Sequence, residues 1–413
     1  MKTVYFDNGA TTPMCEPSLK AMCTAASDCF GNPSGTYGPG FSAKKILNES
    51  RAEIASALDC YESEIIFTSG GTEGDNAAVL GTFYASDRPG KHIITTEIEH
   101  HAVLNVCSFL EKQGASVTYL KPSKDGRISP EAVKEAIRPD TLLVSVMHAN
   151  NETGVLQPVE EIAKVAKEAG VYFHTDAVCT FGKIPIDLRR LEADILSVSA
   201  HKFYGPKGTG FLFTRRGTAF APLIRGGSQE EGRRAGTENV PAIAGMAAAV
   251  RYCRENMEWH AYAAAKLRDL LWKLLSESID GVHLNPEAAG RSMDLRNPVA
   301  DDTGRNDPSG AFGPEKDVLL LPGTLNVRFD GVKGESLLIL LDGKGICASA
   351  GAACERKGKK ISHVLTAMGY SEKEASGSIR FTLSHLNTEE EVRYAASAVK
   401  ESVEYLRRIG LAL

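Results

Sequence analysis

No two cysteines in this chain stand at a C-x-x-C spacing, although there are nine in all. The number is odd and the spacing irregular, so neither a structural zinc site nor a disulfide framework is expected. Most of the nine are expected to be small buried hydrophobes. The ten histidines contain no H-E-x-x-H or paired-ligand pattern, and no metal site is expected. Positive charge is not in excess: the net charge is −5, which gives no basic field for direct nucleic-acid binding. No apolar stretch approaches the roughly 20 residues of a membrane span. The opening MKTVYFDNGATT lacks the apolar run of a secretory leader. These absences leave a cytoplasmic enzyme with no membrane partner as the expectation.

What is present is ordinary globular composition, 43% hydrophobic and 24% charged over 413 residues, long enough for a large core and a second lobe. From residue 64 to about 213, short β-rich runs alternate with helical stretches. The runs are EIIFT (64–68), KHIIT (91–95), ASVTYL (115–120), TLLVSVM (141–147), VYFHTD (171–176), DILSVS (194–199) and GFLFT (210–214). Several are nearly continuous apolar runs, as suits strands buried on both faces. Helix patterns lie between them: DNAAVLGTFYASD follows a glycine-rich turn, and PVEEIAKVAKEAG carries Pro near its start and Gly at its end. The alternation predicts an α/β domain with a mainly parallel sheet. After about residue 240 the pattern changes to a long, interrupted helix, then the strands TLNVRF (324–329) and SIRFTL (378–383) with helices around HVLTAMG and at the C-terminus. That predicts a smaller α+β domain. Residues 285–322, rich in Pro, Gly, Asp and Asn, read as a long surface loop, a variable insertion rather than a lid.

Three residues or motifs suggest chemistry when taken together. Lys202, in SVSAHKFYGPKGTG, lies just beyond an apolar strand, where α/β sheets bind ligands and where an amine could form a Schiff base with a cofactor aldehyde. Asp176, in VYFHTDAVCT, ends another buried strand and could keep a pyridine nitrogen protonated. TSGGTEGDN (68–76) joins a strand to a helix N-terminus, where glycines allow close approach and the helix attracts phosphate. It is not a Walker A loop, because no Gly-Lys-Ser/Thr follows. Singly, each is also explained as an exposed lysine, a capping aspartate or a plain turn.

The chain resembles the cysteine desulfurases of the NifS/IscS type, within the class V aminotransferases. The matching stretches are YFDNGATTP, FGNPSG, IIFTSGGTEGDN, HIITTEIEHHAVL, VSVMHANNETGVLQP, FHTDAV, SAHKFYGPKGTGFL, RRAGTENVP, LNVRF, GESLL, ASAGAAC and SIRFTL. The resemblance implies a fold-type I, pyridoxal-phosphate (PLP) dependent transferase of the aspartate-aminotransferase type. It would have a large domain over 13–258 with a mainly parallel seven-stranded sheet, and a small α+β domain from 1–12 and 259–413. It also implies the site. Lys202 would hold the cofactor and move protons at the substrate Cα, Asp176 would pair with the ring nitrogen, and His100 would stack on the ring and assist proton transfer. Gly71, Thr72, Ser199 and His201 would take the phosphate. Thr237 would reach the phosphate of a neighbouring subunit, which implies a homodimer. Asn151 and Arg380 would bind the carboxylate of L-cysteine, as a guanidinium fork can.

Cys354, in ICASAGAACERKGKK, would attack the substrate sulfur and keep it as a persulfide for an acceptor such as an iron–sulfur scaffold or a thiolation enzyme. Its glycine-bearing surroundings suit a mobile loop, and Arg356, Lys357, Lys359 and Lys360 would favour the thiolate. Three departures from the relatives stand out. Cys179 replaces the Gln that donates to the cofactor's ring hydroxyl, Tyr37 replaces a His, and Ser384-His385 replaces Gly-Arg. His101 reads as an exposed or supporting residue. The alternatives are selenocysteine lyase, cysteine-sulfinate desulfinase, a plain aminotransferase, or a non-catalytic paralogue serving as a binding protein.

Overall fold

A computed structural model describes residues 3–87, 91–292, 318–351 and 361–410. The short strand β1 (Val4–Tyr5) comes first, followed by α1 (Glu16–Asp28) and α2 (Gly38–Leu58). Seven strands then build one sheet: β2 (Ile65–Thr68), β3 (His92–Thr96), β4 (Ser116–Leu120), β5 (Thr141–Ser145), β6 (Tyr172–Asp176), β7 (Ile195–Ser199) and β8 (Gly210–Thr214). All seven start within one residue of the sequence expectation. Their order is β2-β8-β7-β6-β5-β3-β4, and only β8 runs antiparallel, to both of its neighbours. The helices between them are α3 (Gly71–Ala85), α4 (His101–Glu111), α5 (Pro130–Ala136), α6 (Val159–Glu168) and the single turn α7 (Leu188–Leu191).

The topology decides where the site lies. β2 is antiparallel to β8, which is antiparallel to β7, so β2 runs parallel to β7. The carboxyl ends of β2, β3, β5, β6 and β7 therefore share one edge, the edge at which open α/β sheets bind ligands. The strands form because their Ile, Val, Leu and Phe side chains are buried on both faces, in a core with α2, α6 and the first half of α8 (Val240–Ser278).

A second core gathers Val4 and Phe6 from the chain start with Leu271, Leu275, β12 (Thr324–Phe329), β14 (Ser378–Thr382), α9 (Gly334–Gly343) and α12 (Glu389–Arg408). β1 pairs in parallel with β13 (Ile346–Cys347), and β12 lies between β14 and β9 (Val282–Leu284). Two short helices, α10 (His363–Ala367) and α11 (Glu372–Ser376), precede β14.

Three expectations are corrected. α8 is one continuous helix of 39 residues, not an interrupted one. Beyond its first turn it contains no Pro, and its Arg251 and Arg254 both pair with Glu53 of α2, so the charged stretch RYCREN is held against a neighbour. Its one glycine, Gly245, lets α1 approach: a methyl group there would lie 3.2 Å from Met22 Cβ. The helix contributes to both cores. Second, the edges of 285–322 are strands: β10 (Ala289–Ser292) and β11 (Val318–Leu320) pair in parallel, while 293–317 lie outside the described residues. Third, of the described cysteines only Cys107 and Cys253 are buried; Cys15, Cys29, Cys60, Cys179 and Cys347 are partly exposed and Cys23 exposed. No helix among the described residues is long and apolar enough to cross a membrane.

Candidate active site

At the shared carboxyl edge lies a cleft of about 310 Å³. It is built from many separate segments, because the strand ends and the loops that follow them converge there. β6 ends at Asp176 and β7 at Ser199, followed by His201 and Lys202 in one tight turn. β2 leads into Gly71 and Thr72, β3 into His100, and β5 into Asn151. Arg380 enters from β14 and Gly9 from the chain start.

Lys202 Nζ donates to the Gly9 carbonyl at 2.6 Å. Its turn is fixed by Thr12, whose Oγ1 donates to the His201 carbonyl at 3.0 Å and accepts from Tyr204 N at 2.7 Å. Asp176 is buried, and its Oδ1 accepts from Val178 N at 2.8 Å. Burial pushes its carboxyl up to about 6, against the opposing pull of Lys202. His100 caps α4, its Nδ1 accepting from Ala102 N at 3.1 Å, which leaves the ring proton on Nε2. Burial, with Lys202, His101 and His363 adding repulsion, lowers His100 to about 4, so the ring is neutral near pH 7. Burial and Lys202 lower His201 to about 4 in the same way.

The glycine turn before α3 is tight. Gly70 has φ of 145°, which favours glycine, and a methyl group on Gly71 would lie 2.6 Å from Val178 Cγ2. α3 therefore presents its N-terminal N–H groups to the cleft without side chains in the way. Arg380 is buried. Its Nη1 donates to the Asn151 carbonyl at 2.7 Å and its Nη2 to Asp7 Oδ1 at 2.9 Å. Among the described residues its Nε has no partner.

Lys202, His100, Gly71, Thr72, Asp176, Cys179, Ser199, His201, Asn151 and Arg380 thus all line one cleft. Thr237 is exposed and lies outside it. Cys354 and the basic residues after it lie outside the described residues. His101 is not simply exposed: it lines the cleft half-buried, its ring centre 4.8 Å from that of His363. Sequence reading gave no role to Gly9, Asp75, Glu152 or His363, which also line it. Asp75 stands within the glycine-turn motif and Glu152 beside Asn151; Gly9 and His363 arrive through long-range packing. Of the departures, Cys179 lies in the cleft, while Tyr37 is exposed at the start of α2. His385 stacks on His260 at 3.5 Å behind Tyr204.

A nucleophilic amine, a buried carboxylate, a neutral imidazole, a phosphate-sized glycine turn and a guanidinium suit covalent capture of a small anionic amino acid. The known proteins agree with this geometry. The aminotransferase class-V family pattern matches residues 4–295 and 314–394. Cysteine desulfurase IscS of Methanosarcina thermophila is 44% identical, covering 99% of this chain and 94% of its own. A solved NifS-like protein superimposes with a TM-score of 0.85 at 36% identity, covering 98% of this chain and all of its own. A structure of SspA in complex with cysteine gives 0.76 at 36% identity, covering 92% of this chain and 99% of its own. With the family pattern spanning both cores and every strand that feeds the cleft, the chain belongs to the aminotransferase class-V family.

Proposed function

We propose that this protein is a cysteine desulfurase, a PLP enzyme that converts L-cysteine to L-alanine and loads the sulfur on Cys354 as a persulfide. The observation that carries this reading is the meeting of Lys202, Asp176, His100 and Arg380 in one cleft, in a chain whose relatives over nearly its whole length are named cysteine desulfurases. The residues fit the cofactor. Lys202 would supply the amine for its aldehyde, Asp176 the carboxylate for its ring nitrogen, and His100 a neutral ring to pack on it. Gly71, Thr72, Ser199 and His201 would supply phosphate donors, and the missing side chain at Gly71 lets the turn pack against Val178. Cys179 would meet the ring hydroxyl, where a thiol is a weaker donor than an amide.

Bound there, PLP supplies an electron sink for negative charge at the substrate Cα. Lys202 takes and returns the Cα proton. Arg380 and Asn151 hold the substrate carboxylate, and the remaining N–H groups of the Arg380 fork suit that anion. The Cys354 thiolate attacks the substrate sulfur, so that an S–S bond forms as the C–S bond breaks, and alanine leaves. The enzyme acts as a cytoplasmic homodimer, with Thr237 reaching the partner's phosphate site. The persulfide passes to an acceptor such as an iron–sulfur scaffold. The test is incubation with L-cysteine followed by mass measurement of the Cys354 peptide. A peptide heavier by one sulfur, with alanine formed, is expected. An unmodified peptide alongside turnover, or full activity in Cys354→Ala, sinks the reading.

A further inference from the structure

Behind Asp176 lies a second buried carboxyl group for which the proposed chemistry has no use. Asp75 is 1% exposed and sits in α3, five residues after the glycine turn begins. Its Oδ1 lies 3.6 Å from His174 Nε2 and accepts no hydrogen bond. The imidazole does not serve as its counter-ion. His174 Nδ1 bonds Ser145 Oγ at 2.8 Å and its Nε2 bonds Ser197 Oγ at 2.9 Å. Burial lowers His174 to about 3, so it is uncharged.

Ser197 hydrogen-bonds Asp75 as well, and it is the strand partner of Asp176 across β6 and β7. The packing fixes the arrangement, since a methyl group on Gly74 would lie 3.2 Å from Ser197 Cβ. Among the described residues, the charged groups that face Asp75 are Asp176 and Glu99, both acidic and both buried. An ionised Asp75 would be a buried anion with no cation, beside two more carboxyls, and such a charge is strongly disfavoured. Burial, with repulsion from Asp176 and Glu99, pushes the Asp75 carboxyl up and outweighs the hydrogen bond to Ser197, which pulls it down.

We infer that Asp75 is a positioning residue for Asp176: a neutral carboxylic acid, held by Ser197, that leaves Asp176 free to carry the negative charge at the cleft floor. The role toward the cofactor rests on the reading of Asp176 as the partner of the ring nitrogen. With Asp75 uncharged, Asp176 meets less repulsion when it ionises to pair with a protonated pyridine. The hydrogen bond between Ser197 and Asp75 ties α3, the phosphate-side helix, to the strand beside Asp176.

The test has one arm without cofactor and one with it. An infrared difference spectrum of cofactor-free protein at neutral pH, wild type minus Asp75→Asn, should show the C=O stretch of a protonated carboxyl group. Only ionised-carboxylate bands in that difference would overturn the inference. In the second arm, Asp75→Asn should bind PLP within about threefold of wild type, while Asp75→Ala, which removes the bond from α3 to Ser197, should bind it about tenfold more weakly. Tenfold weaker binding by the Asn variant would also overturn it. Should the Ala variant fail to fold, the Asn variant and the infrared band decide. Wild-type protein that takes up no PLP counts against the proposed function, and the infrared band reports the charge on Asp75 in either case.

Discussion

Lys202 reaches across the cleft and donates a 2.6 Å hydrogen bond to the carbonyl of Gly9, a residue 193 positions away. The N-terminal turn is therefore a wall of the site. Gly9 N donates to Thr382 Oγ1 at 2.6 Å, and a methyl group on Gly9 would lie 2.9 Å from Thr382 Cγ2. Gly9→Ala should displace the turn, lower stability by about 1–3 kcal/mol, and lower activity, because the backbone facing Lys202 shifts. Thermal unfolding together with alanine release checks it. Lys202→Ala should lose activity by at least about 10³-fold, since amine capture and proton transfer at Cα both go.

Glu99 gives a pH dependence with a definite sign. It is fully buried, and although Met147 N and Thr96 Oγ1 both donate to it, burial pushes its carboxyl from 4.5 to about 8. Between those values the folded chain holds a proton that the unfolded chain has released. Stability contributed by this group is complete below pH 4.5 and drains away as pH rises toward 8. In cofactor-free protein, Glu99→Gln should therefore gain stability relative to wild type as pH rises from 5 to about 8, on the order of a few kcal/mol, and gain no more above that. Denaturant melts at several pH values measure it; a difference that stays constant with pH would refute the assignment.

The sequence showed the sheet clearly and the cleft in part. β5, β6 and β7 are buried on both faces, so their apolar runs stand out, and Asp176, Ser199 and Lys202 are legible as the polar residues where those runs stop. Gly9, Glu152 and His363 were not legible. Gly9 and His363 reach the cleft only because the chain start and α10 pack onto the large sheet's edge, while Glu152 arrives beside Asn151 after β5. The continuity of α8 was hidden for a related reason. Its charged middle looks like a break until Glu53 of α2 is seen to hold Arg251 and Arg254.

His100 should behave as a neutral ring throughout the working range. Its burial and its cationic neighbours lower it to about 4. The ring resonances of His100 in cofactor-free protein should not titrate above about pH 5, whereas an ordinary histidine titrates near 6.5. A His100 midpoint near 6.5 would mean that the site is open to solvent. His100→Gln should lose about 10²-fold in kcat, in keeping with a group that helps move protons.

Cys179 is the departure from the relatives that stands in the cleft itself. If its thiol faces the ring hydroxyl of the cofactor, replacing it with the relatives' glutamine adds a stronger donor and favours the ionised hydroxyl. Cys179→Gln should then move the pH midpoint of the bound cofactor's absorbance downward. Identical titration curves for the two proteins would show that the thiol does not touch the cofactor.

Arg380 is held on two sides, by Asp7 at 2.9 Å and by the Asn151 carbonyl at 2.7 Å. Those bonds aim a planar fork, and a planar fork is what a carboxylate needs for two parallel hydrogen bonds. Lysine keeps the charge but not the plane. Arg380→Lys should therefore lower kcat/KM for L-cysteine by about 10- to 100-fold, mostly through KM, because charge-assisted hydrogen bonds of about 1.5–3 kcal/mol are lost from binding. Asp7→Asn should have a smaller effect in the same direction: the guanidinium keeps its charge and its Asn151 contact but loses the carboxylate that orients it. Steady-state kinetics on the two variants separate the roles. If Arg380→Lys lowered kcat while leaving KM unchanged, Arg380 would be acting on the reacting atoms instead of on the substrate carboxylate.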